Sequence, residues 1–125
     1  MQARDIGALG ERAAAAWLRQ HGYAIVGANV RTRFGEIDLI AADETCLAFV
    51  EVKTRAPNAR FLPREAVDAR KQARIVRTAL LYLSAHPTPL QPRFDVMEVV
   101  PGTNGDFARC TIHHIPNAFT AAASF

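Results

Sequence analysis

The sequence predicts an α/β fold in which helices pack on a central mixed sheet, in the order helix, three strands, helix, two strands. Two long segments repeat apolar residues at helical spacing, and five shorter runs are apolar and rich in β-branched residues. Glycine, proline and aspartate separate these runs and are typical of turns. At 125 residues, the chain is expected to form a single domain over residues 1–125, with one hydrophobic core.

The first predicted helix is the segment "IGALGERAAAAWLRQH", which is followed by Gly22, a common helix stop. Its core-facing residues are predicted to be Leu9, Ala13, Ala16 and Trp17. The second predicted helix runs from about Pro63, which suits a first helical turn, to His86. Its predicted apolar stripe consists of Ala66, Ala69, Ala73, Val76, Leu80 and Leu83.

The predicted strands are "YAIVGANV", "EIDLIAA", "CLAFVEVK", "RFDVMEVV" and "CTIHHI". A two-residue turn at Asp43 and Glu44 would join the second and third strands, and "PGTNGD" would join the last two. The small-residue tail, at about residues 118–125, is expected to be flexible.

Composition restricts the location of the protein more than its activity. The formal net charge of +3 is compatible with an anionic partner, but many basic proteins have none. Charged residues interrupt the N-terminal segment, so no apolar stretch there is long enough for a signal peptide or a membrane span. Cys46 and Cys110 lack CxxC spacing and are expected to be reduced. These features predict a cytoplasmic protein with no membrane partner.

The segment "GEIDLIAADETCLAFVEVKTR", residues 35–55, places acids inside an otherwise apolar hairpin. With a two-residue turn, Glu36 would pair with Glu51, and Asp38 would be the diagonal neighbour of Glu51, roughly 7–8 Å away. Because side chains alternate along a strand, one face would hold Glu36, Asp38, Ile40, Leu47, Phe49, Glu51 and Lys53. The other face would hold Ile37, Leu39, Cys46, Ala48, Val50 and Val52. A shift by one residue would separate the two sets of acids.

Two interpretations of these acids are open: the solvated face of a hairpin, or a metal or active site. Apolar residues accompany the acids on the same face, so the hairpin is expected to be buried on both sides, and buried charges need compensation. Lys53 supplies part of it, and a divalent cation would supply the rest. Carboxylates that hold Mg²⁺ leave it open positions for phosphate oxygens and water, which suits phosphodiester hydrolysis. We therefore favour the second interpretation.

The same residues carry a known pattern. An acid on one strand, E-x-K on the next and a helix after them resemble the PD-(D/E)xK nuclease superfamily, whose core is α-β-β-β-α-β. More narrowly, "GEIDLIA" and "FVEVKTR", preceded by "LGERAAAAWLRQHGY", resemble the YraN family, small bacterial proteins regarded as endonuclease-like and akin to archaeal Holliday-junction resolvases. The resemblance spans about Leu9 to Val99, with Ile37 where the superfamily has proline. It implies a restriction-endonuclease-like core with an extra C-terminal strand.

By this resemblance, Asp38, Glu51 and Lys53 would be the catalytic residues of a Mg²⁺- or Mn²⁺-dependent enzyme. Asp38 and Glu51 would be metal ligands, the carbonyl of Val52 a third ligand, and Glu11 an auxiliary acid near the metal. Considered by itself, Glu11 fits equally well as a capping or surface acid of an early helical turn. On a helix it shares a stripe with Ala14, Ala15 and Leu18, an apolar setting that favours a partner.

Basic residues surround this region. Arg31, Arg33 and Arg55 flank the acidic end of the hairpin, and Arg70, Arg74 and Arg77 form a helical stripe beside Lys71. Such a stripe can follow a phosphate backbone or form the solvated face of a long helix, and both interpretations stay open. Lys71 has the helical spacing of Val67 and Ile75, so we expect it to point toward the sheet.

The function predicted from the sequence is metal-dependent hydrolysis of DNA, including branched or junction DNA. The alternatives are a catalytically silent nucleic-acid-binding module with the same fold, and an assembly protein whose acids form only a structural ion network. Cleavage of a junction requires two active sites, so that activity would imply a homodimer with twofold symmetry.

Overall fold

The structure, a computed structural model, describes residues 3–55 and 67–121 of the chain. It confirms the predicted fold class, with two helices and a five-stranded mixed sheet in the order α-β-β-β-α-β-β, consistent with a restriction-endonuclease-like core. The elements are α1 (Ala3–Gln20), β1 (Ala24–Thr32), β2 (Gly35–Ala42), β3 (Cys46–Thr54), α2 (Ala69–Ala85), β4 (Gln91–Gly102) and β5 (Asp106–Phe119). Neither helix is long and apolar enough to cross a membrane in the residues described.

The strands lie in the sheet in sequence order, from β1 to β5. Each pairs antiparallel with its neighbour except β3 and β4, which run parallel. A parallel pair needs a crossover, and α2 lies in the connection between these two strands. The carboxyl-terminal half of β3, which carries the predicted acid and lysine, is thereby fixed in the middle of the sheet.

Each face of the sheet has its own hydrophobic cluster. The cluster that includes residues of α2 contains Ile37, Ile40, Leu47, Phe49, Val67, Ile75, Val76, Ala79, Phe94, Val96 and Phe119. The cluster that includes residues of α1 contains Ala14, Ala15, Leu18, Leu39, Ala41, Ala48, Val50, Met97 and Val99. Burial on both faces explains why the central strands read as nearly continuous apolar runs. An acidic side chain in these strands is therefore removed from water, which disfavours its charged form.

The buried stripe of α1 differs from the predicted one. Ala14, Ala15 and Leu18 are buried, whereas Ala16 is exposed, and the other predicted core residues are only half-buried. Small apolar residues occupy several sides of this alanine-rich helix, so periodicity alone does not choose between adjacent stripes. The observed stripe is the one that continues to Glu11.

The start of α2 also differs from the prediction. The helix begins at Ala69, where the Asp68 side chain accepts a hydrogen bond from the backbone N–H of Lys71 at 2.9 Å. This is an N-cap, and it places the boundary after Pro63, which lies outside the described residues. The buried residues of α2 are Ile75, Val76, Thr78 and Ala79, and Leu80, predicted to face the core, is 47% exposed.

The β2–β3 hairpin has a longer turn than predicted. The Asp43 side chain accepts hydrogen bonds from the backbone N–H groups of Thr45 and Cys46, at 2.9 and 2.7 Å. As a result Ala42 pairs with Leu47 rather than with Thr45, a register shift of two residues. A shift of two residues leaves each side chain on the same face of the hairpin. The predicted register is therefore wrong, but the prediction that the acids of the two strands share a face does not depend on it.

The end of the chain corrects one further prediction. Strand β5 continues through Ala118 and Phe119, and the ring of Phe119 stacks on Phe94 with centroids 5.2 Å apart. These two residues therefore belong to the sheet rather than to the flexible tail predicted from about residue 118. Residues 122–125 lie outside the described part of the chain.

Candidate functional site

The candidate site lies where β2 and β3 separate. Their pairing ends at Leu39 and Val50, although β2 extends back to Gly35 and β3 extends on to Thr54. Asp38 and Glu51 are the next residues on the two strands, so they lie directly across from each other rather than diagonally. The backbone N–H of Val52 donates to Asp38 Oδ2 at 2.8 Å, and the carboxyl groups of Asp38 and Glu51 are joined by a hydrogen bond.

Strand β2 changes face at Asp38. Residues two apart in a regular strand share a face, yet Ile37 packs in the α2 cluster and Leu39 in the α1 cluster. The prediction that these two residues share one apolar face is therefore wrong. The twist leaves the Asp38 carboxylate between the two helices, within reach of Glu11 on α1 and near Lys71 on α2.

Glu11 reaches the site because α1 packs closely on the end of β3. Gly10 is buried, and a Cβ atom added to it would overlap the hydroxyl of Thr54, so a larger residue would force Thr54 to rotate or α1 to move away. The adjacent Glu11 carboxyl forms a hydrogen bond with Asp38. Burial raises the pKa of Glu11, and the nearby charges of Glu36 and Glu51 raise it further. The predicted auxiliary acid thus contacts the predicted metal ligand.

The surroundings of the Asp38 carboxyl disfavour its charged form. Burial, and then the neighbouring Glu51 and Glu11, together raise its pKa to about 8 and outweigh the opposing hydrogen bond from Val52. A perturbed acid of this kind, set among other acids, is typical of functional sites.

Another buried aspartate in the same sheet shows the opposite behaviour. Asp95, on β4, is fully buried and pairs with the Arg93 guanidinium through two contacts of 2.8 Å. It also accepts hydrogen bonds from the backbone N–H of Asn117 and from His114. Burial alone would raise the pKa of Asp95, but these partners hold it below its usual value. The fold therefore compensates a structural aspartate fully, which sets Asp38 apart.

Two lysines share one oxygen of Glu51, a residue that is 6% exposed. The Nζ atom of Lys53 lies 3.2 Å from Glu51 Oε1, and that of Lys71 lies 2.5 Å from the same atom. Burial, and then the neighbouring Lys71, lower the pKa of Lys53. Burial also disfavours the charged form of Lys71, but the hydrogen bond between Lys71 and Glu51 outweighs this effect, and the pKa of Lys71 is raised overall. The prediction that Lys71 points toward the sheet is confirmed.

A cavity of about 340 Å³ lies between strands β2 and β3 and helix α2. Its lining residues are Gly35, Glu36, Asp38, Glu51, Lys71, Arg74 and Ile75. One part of the lining is therefore acidic and comes from the strands, and the other part is basic and comes from the first turns of α2, where Lys71 reaches Glu51. A phosphate group has a matching wall on the α2 side, and a cation has one on the strand side.

The predicted DNA-binding arginines fall into three groups. Arg70, Arg74 and Arg77 are exposed along α2. Arg31 and Arg33 are exposed near the β1–β2 turn, where the guanidinium groups of Arg33 and Arg77 lie 4.9 and 5.6 Å from the centre of the Phe34 ring. Arg55 is mostly buried, with its Nε atom 3.8 Å from Glu98. Of the exposed arginines, Arg74 lines the cavity, and Arg55 lies inside the fold.

The site offers oxygen donors of the kind that a divalent cation needs. In the described residues, no group of three or more His, Cys, Asp and Glu side chains is arranged to hold a metal ion. Mg²⁺, however, is commonly held by one or two carboxylates together with several waters. Asp38 and Glu51, which meet across the gap between the strands, fit that requirement.

The raised pKa of Asp38 predicts how stability changes with pH when no cation is present. An unfolded aspartate has a pKa of about 3.9, so between about pH 4 and pH 8 the folded protein retains a proton that the unfolded chain has lost. The free energy of unfolding should therefore fall as pH rises through this range. Because solvent reaches Asp38 and its proton is shared with its neighbours, we expect a loss of about 1–2 kcal/mol.

Thermal melting in EDTA at several pH values measures this effect, and Asp38→Asn is the reference. The variant cannot lose the proton, so it should lack this part of the decline and be the more stable protein near pH 8. Parallel pH profiles for the two proteins would contradict the interpretation.

Comparison with known sequences places the chain in a family. The sequence pattern of UPF0102, described as an uncharacterised protein family, matches residues 10–99. The chain belongs to the UPF0102 family. It is 51% identical over 121 residues to a UPF0102 protein of Symbiobacterium thermophilum, covering 94% of this chain and 98% of the relative. It is 44% identical to a UPF0102 protein of Chlorobium phaeobacteroides, covering 92% and 94%.

The UPF0102 match includes the whole candidate site, from Glu11 on α1 to Lys71 and Arg74 on α2. Asn29, a residue of this region, is not among the site residues predicted from the sequence. Asn29, on β1, has a positive φ of 51° and lies beside the acids. An asparagine inside a β-prone run is unusual, and that is the only signal in the sequence that points to it.

Proposed function

We propose that this UPF0102 member is a metal-dependent nuclease that hydrolyses phosphodiester bonds in DNA. The observation that carries the proposal is the meeting of Asp38 and Glu51 where β2 and β3 separate, with Lys53 on Glu51 and Glu11 on Asp38. This is the constellation expected from the resemblance to PD-(D/E)xK nucleases and to the YraN family. The spatial arrangement supports it independently, because Asp38, Glu51 and Lys71, which are distant in sequence, line one cavity, and Glu11 and Lys53 contact its acids.

In this proposal Asp38 and Glu51 hold Mg²⁺ or Mn²⁺, with the carbonyl of Val52 as a third ligand and Glu11 as an auxiliary acid. When bound, the ion would polarise the phosphate and lower the pKa of a bound water. Asp38 must give up its proton to act as a ligand, and its raised pKa makes that step dependent on pH. Glu11, joined to Asp38 by a hydrogen bond, is placed to receive or share that proton.

The two lysines have different places in the proposal. Lys53 extends from the same strand as Glu51, one same-face position further on, and is placed to stabilise the charge that develops on the phosphate. Lys71 and Arg74 lie on α2 and provide the cationic part of the cavity lining for the phosphate in the ground state, with Lys71 also in contact with Glu51. The lowered pKa of Lys53 makes its ammonium a better proton donor than that of an ordinary lysine.

The exposed arginines of α2 and of the β1–β2 turn define the surface proposed to hold DNA. They are Arg31, Arg33, Arg70, Arg74 and Arg77. Located on a hairpin tip and on a helix, they could contact phosphates on either side of the bond to be cut. Branched or junction DNA is the substrate class implied by the likeness to junction resolvases, and it would require a homodimer.

One observation favours the alternative of a catalytically silent DNA-binding module. Glu51 is already neutralised by two lysines, Lys53 and Lys71, without any metal ion. If the site had only a structural role, these two lysines would be sufficient to balance the charge of Glu51. A purely structural site would give no role to Asp38, which lies buried among acids that disfavour its charged form, and that is why we favour the enzyme.

The proposal is tested by incubating the protein with linear duplex, single-stranded and four-way-junction DNA, with Mg²⁺, Mn²⁺ or EDTA. Binding and cleavage are measured on the same samples. The enzyme should cut at least one substrate with Mg²⁺ or Mn²⁺ and none in EDTA. Binding without cleavage under every condition would support the silent module, and neither binding nor cleavage would contradict both.

A further inference from the structure

Asn29 contacts two acids of the candidate site at once. Its side-chain amide nitrogen lies 3.1 Å from Glu11 Oε1 and 2.8 Å from Glu36 Oε1. We assign this orientation of the amide because the opposite one would set the amide oxygen against both carboxylates. With the nitrogen toward the acids, each carboxylate receives one of its two N–H groups.

The position of Asn29 in the sheet is as specific as its contacts. On β1 it lies between Ala28, which pairs with Leu39, and Val30, which pairs with Ile37. Asn29 is therefore opposite Asp38 on the neighbouring strand β2. Asp38 therefore has Glu51 across from it on one side and Asn29 on the other. The φ of 51° at Asn29 is a conformation that asparagine tolerates better than most residues, and it follows a register irregularity in β1 between Ile25 and Gly27.

We propose that Asn29 is a positioning residue for the metal site, and that it acts by holding Glu11 against Asp38. The amide separates Glu36 from Glu11, two acids that would otherwise repel each other, and directs the Glu11 carboxyl to its hydrogen bond with Asp38. This inference rests on the proposed function, because Asp38 is the ligand that Glu11 supports. Groups that orient a metal ligand in this way typically contribute 10–100-fold to metal affinity.

Asn29→Gly tests the proposal because glycine adopts the positive φ and removes only the amide. Calorimetric titration with Mn²⁺ alone should give a dissociation constant about tenfold weaker than that of wild type. Asn104→Gly is the matched control, since Asn104 is an exposed asparagine with a positive φ of 61° in the β4–β5 turn. It should bind Mn²⁺ as wild type does.

A double-mutant cycle separates positioning from general damage. If Asn29 acts through Glu11, Asn29→Gly should have little further effect on Mn²⁺ affinity in a Glu11→Gln background. A full tenfold effect in that background would contradict the proposed route. Melting curves establish that each variant is folded, and Asn29→Ser, whose side chain ends one atom short of the amide nitrogen, replaces the glycine variant if that one does not fold.

The outcomes keep the two proposals apart. If wild type binds no Mn²⁺, the proposed function fails and the role of Asn29 fails with it. If wild type binds Mn²⁺ and folded Asn29→Gly binds it equally well, the metal site stands and the positioning role of Asn29 is wrong.

Discussion

Lys53→Ala is expected to slow DNA cleavage by about 10²–10³-fold while leaving DNA binding nearly unchanged. In the proposal, the Lys53 ammonium stabilises charge that appears only in the transition state, so its loss should lower kcat far more than it raises KM. The fold should survive the substitution. Glu51, the buried partner of Lys53, retains its contact with Lys71 and so does not become an uncompensated buried charge. Steady-state cleavage and thermal melting on the same preparation measure both effects.

Lys71→Ala is the matched comparison, because both lysines contact the same oxygen of Glu51. If the two lysines were only counter-ions, either substitution should have a similar effect on cleavage. In our account Lys71→Ala acts mainly on substrate binding and Lys53→Ala on the rate of the chemical step. A folded Lys53→Ala protein that cuts at the wild-type rate would remove Lys53 from the catalytic set.

Asp38→Asn is expected to reduce Mg²⁺-dependent cleavage by more than about 100-fold. Replacing a group that merely supports a metal ligand costs 10–100-fold, so loss of a ligand itself should exceed that range. The variant should be well folded, because the amide removes negative charge from a site where burial and neighbouring acids disfavour it. Loss of activity together with unchanged or higher stability would be difficult to explain by misfolding.

Glu44→Gln provides the control for this experiment. It makes the same change of acid to amide in the same hairpin, but at an exposed turn position away from the cavity. It should cleave DNA at the wild-type rate. Equal losses in Glu44→Gln and Asp38→Asn would show that the hairpin is sensitive to any lost charge, and would contradict a specific role for Asp38.

The convergence of Asp38 and Glu51 could be predicted from the sequence. It depends on the alternation of side chains between the two faces of each strand, and not on the exact register of the hairpin. The Asp43 turn lengthened the loop and moved the pairing by two residues, an even shift that kept both acids on one side. The position of Lys71 was also predictable, since helical spacing relates it to Ile75, which is buried.

Other features could not be predicted because they depend on contacts between distant elements. The buried stripe of α1 was misassigned, since an alanine-rich helix offers several apolar sides and only packing selects one. The face change at Asp38 follows from the separation of two strands, which has no signature in a periodic pattern. Asn29 was missed for the same reason, because its contacts with Glu11 and Glu36 depend on how β1 and α1 meet.

The central claim is that Asp38 and its neighbouring acids form a site for a divalent cation. Calorimetric titration of Mn²⁺ into wild type and Asp38→Asn at neutral pH, in two buffers with different enthalpies of ionisation, tests it most directly. Since the pKa of Asp38 is about 8, wild type should bind the ion and release protons as it does so. Asp38→Asn should bind more than about 100-fold more weakly, without that proton release. Equal binding by the two proteins, or no binding by wild type, would contradict the account.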